Sequence, residues 1–203
     1  MGFFGSGEAK KATAAARLAG RLPPGQYLTE KWPVLTYGDT PGIPPERWRL
    51  KVVGLVEKEL ELDWQQFRAL PQATVTADFH CVTGWSRFDN AWEGVRFVNL
   101  MQAAGLRPEA KYVAMHCYGG YTTNLPLEAM LDPDVLLACR HGGKDLAPEH
   151  GGPVRLVVPK RYAYKSAKWL GGLALTAEDQ PGFWEVRGYH NEADPWKEER
   201  YSF

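Results

Sequence analysis

Residues 78–86 read Asp-Phe-His-Cys-Val-Thr-Gly-Trp-Ser and put a thiol, Cys81, at the end of the β-branched, alternating run 74–79. A thiolate is both a nucleophile and a soft metal ligand. At a strand end, where Gly84 breaks the pattern, it can face a pocket rather than a core. Free cysteine is more commonly a small buried hydrophobe, so the residue type leaves both roles open. A second His-Cys pair, His116-Cys117, also ends a strand-like run, before Gly119-Gly120-Tyr121. Two His-Cys pairs raise the question of a closed Cys₂His₂ zinc site. Adjacent strand residues point to opposite faces, however, and no C-x-x-C or H-x-x-x-H frame occurs, so structural zinc is disfavoured. A cysteine nucleophile would need a base, and none of His80, His116, His141, His150 and His190 is singled out by spacing.

A second reactive segment spans residues 149–169. It gathers His150, Arg155, Lys160, Arg161, Lys165 and Lys168 around one strand and one glycine turn. A solvated basic face is the ordinary meaning of such a cluster. The run Lys165-Ser166-Ala167-Lys168, after a tyrosine-rich loop, could instead cradle an anion with ammonium groups and backbone N–H groups. Arg155 would add bidentate contact to a phosphate. The P-loop pattern Gly-x-x-x-x-Gly-Lys-Ser/Thr is missing, so the anion is not held in the nucleotide manner.

These residues need rigid elements to position them. Residues 12–19 are alanine-rich and read as a short helix, giving an N-terminal helical extension over residues 1–20 and one domain over 21–203. Residues 21–46 are rich in proline and glycine and are suited to wrap over a surface. Trp48, Leu50 and Val52 alternate with Arg49 and Lys51 as in a half-buried strand. Asp63 and Gln66 form a capping-box pattern that opens a short helix ended by Pro71. A strand end and then a helix fill 94–105, with Asn99 as the expected cap and Gly105 as the stop. Strands follow at 111–117, 135–139, 155–158 and 168–175, with a helical turn at 127–131 and an aperiodic aromatic tail. This mixture lacks a βαβ rhythm and indicates an α+β fold.

At 203 residues the chain suits one substantial core. Equal numbers of acidic and basic residues, 24 of each, argue against a nucleic-acid or membrane-surface protein. Three cysteines supply no disulfide framework, and no apolar run approaches transmembrane length. With no signal-peptide or twin-arginine pattern, the expectation is a cytoplasmic protein without membrane insertion. Eight tryptophans are many, and aromatics serve both cores and planar ligands.

Three separated segments, 78–86, 150–159 and 164–170, resemble the sulfite oxidase-like molybdopterin oxidoreductases, and the similarity runs in order from about Tyr27 to Tyr201. The resemblance implies a mixed-sheet α+β molybdopterin-binding domain. It also implies a cofactor of molybdenum and molybdopterin, with Cys81 as the metal ligand and His80 turned away. It maps His150 and Arg155 to pterin and phosphate contacts, and Ser166, Ala167 and Lys168 to a loop holding the cofactor. Cys117 falls at a pocket position, Tyr27 and Thr29 near a segment lying against the pterin, and Tyr121 near the metal's open position.

Length and loops are similar to the single-domain branch that includes the catalytic subunit of bacterial methionine sulfoxide reductase, with no haem expected. Where sulfite oxidases carry an Arg-Asn-His type segment, this chain has Thr29-Glu30-Lys31-Trp32. Members of that branch are usually exported, which this chain's N-terminus does not suggest. The implied activity is two-electron oxygen-atom transfer, as sulfoxide reduction or sulfite-like oxidation, on a small-molecule or protein sulfoxide or oxyanion. The electron-transfer partner is not implied. A binding module that keeps the fold without catalysis, or a thiol enzyme using Cys81 without molybdenum, are the alternatives.

Overall fold

The computed structural model describes residues 6–203. The alanine-rich segment forms helix α1 (Ser6–Leu18). Its Thr13 hydroxyl accepts from the Leu28 N–H at 3.0 Å, tying the helix to the two-residue strand β1 (Tyr27–Leu28). Beyond it the proline- and glycine-rich chain runs as an irregular strap, apart from one 3₁₀ turn at Pro45–Arg47.

Two sheets follow. The first joins β1, β4 (Gln72–His80), β5 (Trp85–Arg96), β8 (Leu136–His141), β9 (Lys144–Asp145) and β10 (Arg155–Val157). The second has the order β3-β2-β11-β6-β7, where β2 is Arg49–Gly54, β3 Leu60–Asp63, β6 Tyr112–Cys117, β7 Thr122–Pro126 and β11 Leu170–Thr176. Pairings β1–β5 and β2–β11 are parallel and the others antiparallel, so both sheets are mixed and the fold is α+β.

Strand alternation divides the interior in two. From β8, Leu137 and Cys139 enter the main core with Leu50, Val52, Met115 and Leu173 of the second sheet. Their neighbours Leu136 and Ala138 face a second cluster with Phe79, Cys81, Trp85 and Trp92. The same rule in β10 sends Leu156 to the main core and Val157 to the second cluster. Arg155 shares the parity of Val157, and its guanidinium lies 5.2 Å from the Phe79 ring centroid and 5.5 Å from that of Trp92.

Helix α2 (Trp64–Ala69) begins with the expected capping box: Asp63 Oδ1 accepts from Gln66 N at 2.8 Å, and Gln66 Oε1 accepts from Asp63 N at 2.9 Å. Helix α3 (Phe97–Ala104) ends at Gly105, as expected, with φ +71°. Its start corrects the sequence reading, because Asn99 lies inside the helix and Arg96 precedes it without a side-chain cap. The first helical N–H, that of Phe97, instead finds the Val135 carbonyl at 3.1 Å, and burial of Phe97, Leu100, Met101 and Ala104 sets the register. A four-residue helix α4 (Leu127–Met130) precedes β8. Among the described residues no helix is long and apolar enough to cross a membrane.

Candidate active site

The turn between β4 and β5 holds Cys81. Its N–H donates to the Trp85 carbonyl at 2.8 Å, and Gly84 N–H donates to the Cys81 carbonyl at 3.0 Å. Gln26 Nε2 donates to the same carbonyl at 3.0 Å, and Arg200 donates to that of Val82. A turn fixed from three directions presents its side chains with little freedom. Gly84 at φ +102° lets the chain reverse without strain. Cys81 is 7% exposed, and its Sγ lies 3.1 Å from Thr83 Oγ1 in a hydrogen bond. Burial raises the thiol pKa, while Thr83 and the charges of Arg200 and Lys168 oppose the rise. His80, one residue away, is turned into the protein, where its Nδ1 shares a 2.8 Å hydrogen bond with Ser86 Oγ.

Among the described residues, Arg155 is buried without an acidic partner. It donates from Nη2 to Ser166 O at 2.8 Å, from Nη1 to His150 O at 2.9 Å and from Nε to Leu156 O at 3.3 Å. Ser166 Oγ accepts from Val158 N at 2.9 Å, and Ala167 O accepts from Leu156 N at 2.8 Å, so the loop 163–169 is laced to β10. Lys168 Nζ donates to Leu35 O at 2.9 Å and Glu149 O at 2.7 Å. Burial pushes the pKa of Arg155 down to about 9. Burial and then the Arg155 charge lower that of Lys168 to about 8. Both cations therefore sit where a negative charge would stabilise them.

These groups converge on one cavity of about 260 Å³, lined by Cys81, Thr83, Arg155, Ser166, Ala167 and Lys168. Tyr121 lines it too, but burial raises its pKa and its hydroxyl donates to Tyr164 O at 2.6 Å, so that proton is already engaged. The other expected positions lie outside the lining. Tyr27 is about half exposed on β1, and Thr29 Oγ1 accepts from Lys31 N. Cys117, at the end of β6, packs against the main core, and burial pushes its thiol up to about 12. His150 is stacked under Trp32, with centroids 3.7 Å apart and planes 11° apart. Its Nδ1 is buried with no hydrogen-bond partner among the described residues, and burial followed by the Lys168 charge lowers its pKa to about 4.

The basic segment is dispersed by folding. Lys165 does not join the cradle: its Nζ lies 2.6 Å from Glu185 Oε1 and donates to Asn124 O at 2.8 Å, wholly away from water. Lys160 turns to Asp132 and Arg161 to Glu192. Trp32, Tyr37, Trp184 and Tyr189 also line the cavity, and sequence reasoning did not select them. The high tryptophan content was their one visible signal, since aperiodic segments carry no facing rule.

Residues 37–184 match the model of the oxidoreductase molybdopterin-binding domain, and the chain belongs to that family. It is 47% identical over 186 residues to "Uncharacterized oxidoreductase YuiH" of Bacillus subtilis (strain 168), covering 91% of this chain and 94% of that protein. It is 31% identical to "Putative protein-methionine-sulfoxide reductase subunit YedZ1" of Azospira oryzae, over 82% of this chain and 64% of that one. Mitochondrial sulfite oxidase of Rattus norvegicus is 29% identical over 82% of this chain, which spans only 37% of that enzyme. The sulfane dehydrogenase SoxCD of Paracoccus pantotrophus shares the fold, with a TM-score of 0.66 and 24% identity over 77% of this chain and 46% of that chain. The family is sulfite oxidase-like in fold.

Proposed function

We propose that this protein is a molybdenum–molybdopterin oxidoreductase that carries out two-electron oxygen-atom transfer, with Cys81 as the protein's ligand to the metal. The observation that carries this reading is the convergence of a turn-held thiol and two cations without acidic partners on one cavity. Such a donor set fits a group that offers a thiophilic metal and a phosphate. A thiolate suits a soft metal centre, while Arg155 and Lys168 supply fixed positive charge to phosphate or pterin oxygens. When bound, the group would supply the redox chemistry, exchanging two electrons for one oxygen atom with the substrate.

The chain's own residues do the rest. Cys81 would have to give up its Sγ proton to serve as a ligand, which burial opposes, and the Thr83 hydroxyl could then donate to the sulfur. The same elevated pKa argues against a free-thiol enzyme, whose nucleophile would need a depressed one. Arg155 and Lys168 orient the anionic part of the group, each contact worth about 1.5–3 kcal/mol as a charge-assisted hydrogen bond. The aromatic walls limit water. In the direction of sulfoxide reduction the balance is one sulfoxide, two electrons and two protons giving one sulfide and one water. The names of the YedZ1 and sulfite oxidase relatives support a sulfur-centred oxygen exchange in one direction or the other.

Metal analysis tests this directly. Stoichiometric molybdenum with a released fluorescent pterin, together with turnover of sulfoxides or sulfite through an artificial electron carrier, is the expected result. Zinc or no metal, with no turnover, would favour a binding module.

A further inference from the structure

Part of the cavity wall has no role in holding a metal or a phosphate. The strap contributes Leu35 and Tyr37, and the C-terminal segment contributes Trp184 and Tyr189. These two segments, some 150 residues apart in sequence, meet through their rings: Tyr37 is 4.4 Å from Phe183 and 6.3 Å from Trp184, and Trp184 is 4.9 Å from Tyr189, centroid to centroid. Tyr37 is 63% exposed, so the collar reaches the rim. Arg155 and Lys168 are the only charged side chains lining the cavity among the described residues.

This combination discriminates between substrate classes. A cationic substrate would be attracted by ring faces but repelled by the two cations. A small oxyanion would find nothing in the collar, and the cations it needs are those engaged with backbone carbonyls and facing the proposed cofactor. A neutral substrate with an apolar or aryl substituent gains burial against the rings, and a sulfur atom near a ring edge gains further. We infer that Tyr37 and Trp184 are specificity-determining residues, which select a neutral oxygen-atom donor with an apolar or aryl substituent over a small oxyanion. The inference rests on the oxygen-transfer reading of this site and specifies its substrate class.

Calorimetric binding to the purified holoprotein tests it, with methyl p-tolyl sulfoxide, dimethyl sulfoxide and sulfite as probes and turnover followed separately. The aryl sulfoxide should bind at least tenfold more tightly than dimethyl sulfoxide, with sulfite weakest. That preference should fall to threefold or less in Tyr37→Ala and Trp184→Ala, and survive in Tyr37→Phe. Trp196→Ala, at an exposed aromatic outside the cavity lining, should keep it. Tightest binding of sulfite, or an aryl preference that persists in both alanine variants, overturns the inference. Selective binding without reduction of any sulfoxide would leave the collar's role standing and remove the proposed reaction. Reduction of sulfoxides without an aryl preference would do the reverse.

Discussion

Cys81 and Lys168 carry the sharpest residue-scale predictions, because each has few other structural duties. Cys81→Ser preserves size and the Thr83 contact but replaces a soft ligand with a hard one. Molybdenum-dependent turnover should be lost while circular dichroism and melting temperature stay near those of the parent. Retained turnover would refute ligation by Cys81. Lys168→Met removes an ammonium that contacts two backbone carbonyls and lies over the Trp169 ring at the cavity edge, and pterin retained after gel filtration should fall. Burial lowers the Lys168 pKa to about 8 in the protein alone, and a bound anion would raise it again, so the ammonium's contribution to retention is full below pH 8 and declines above it. The difference between parent and variant should therefore be largest below pH 8 and narrow as pH rises toward 10.5. Arg155 is a different case, since its removal strips three carbonyls of their donor and would disturb the fold itself.

Among the elements, the β4–β5 hairpin decides where the thiol stands, and β5 depends on one close approach. A Cβ built on Gly94 would lie 2.0 Å from the Leu137 carbonyl oxygen, where β5 shifts register against β8. Gly94→Ala should destabilise the protein by about 3 kcal/mol, read as a lowered urea midpoint, because backbone on both sides must move. Asp63→Ala removes one arm of the α2 capping box and should cost about 1 kcal/mol by the same measurement. The alternation of 74–79 and the capping box were readable from sequence because each is a local rule. Only the end of β5, from Gly94, is legible in the sequence, because Gly94 interrupts a pattern that only pairing with β4 and β8 sustains. The short β1, β3 and β7 were missed for a related reason: edge or two-residue strands carry too few alternations to stand out.

Across the whole molecule, the Lys165–Glu185 pair fastens the C-terminal segment to the loop beside the cavity. Thr123 Oγ1 donates to Glu185 Oε1 at 2.7 Å, so β7 is part of the same junction. Replacing one partner, as in Lys165→Met, leaves a buried unpaired carboxylate and should cost about 3–5 kcal/mol. Lys165→Met with Glu185→Leu should recover part of that loss in a double-mutant cycle. The pH dependence of stability also belongs to this scale. Burial lowers His141 and His150 to about 4, so both stay neutral in the fold when the unfolded chain would already bind protons. Their contribution is fully present above about pH 6.5 and is lost as pH falls toward 4. The melting temperature should drop across that window, with a shallower slope in His141→Gln.

The sequence by itself determined the strand that leads into Cys81, the helix with its capping box, the α+β class and, through three ordered segments, the family resemblance. These follow from local periodicity and from residues whose spacing along the chain matters. Only the tertiary structure decided that Arg155 faces Cys81's cluster while Lys165 turns inward to Glu185, and that the strap and tail close a ring of aromatics around the cavity. Side chains on aperiodic segments take their direction from whatever packs against them. Here those partners lie roughly 20 to 150 residues away along the chain.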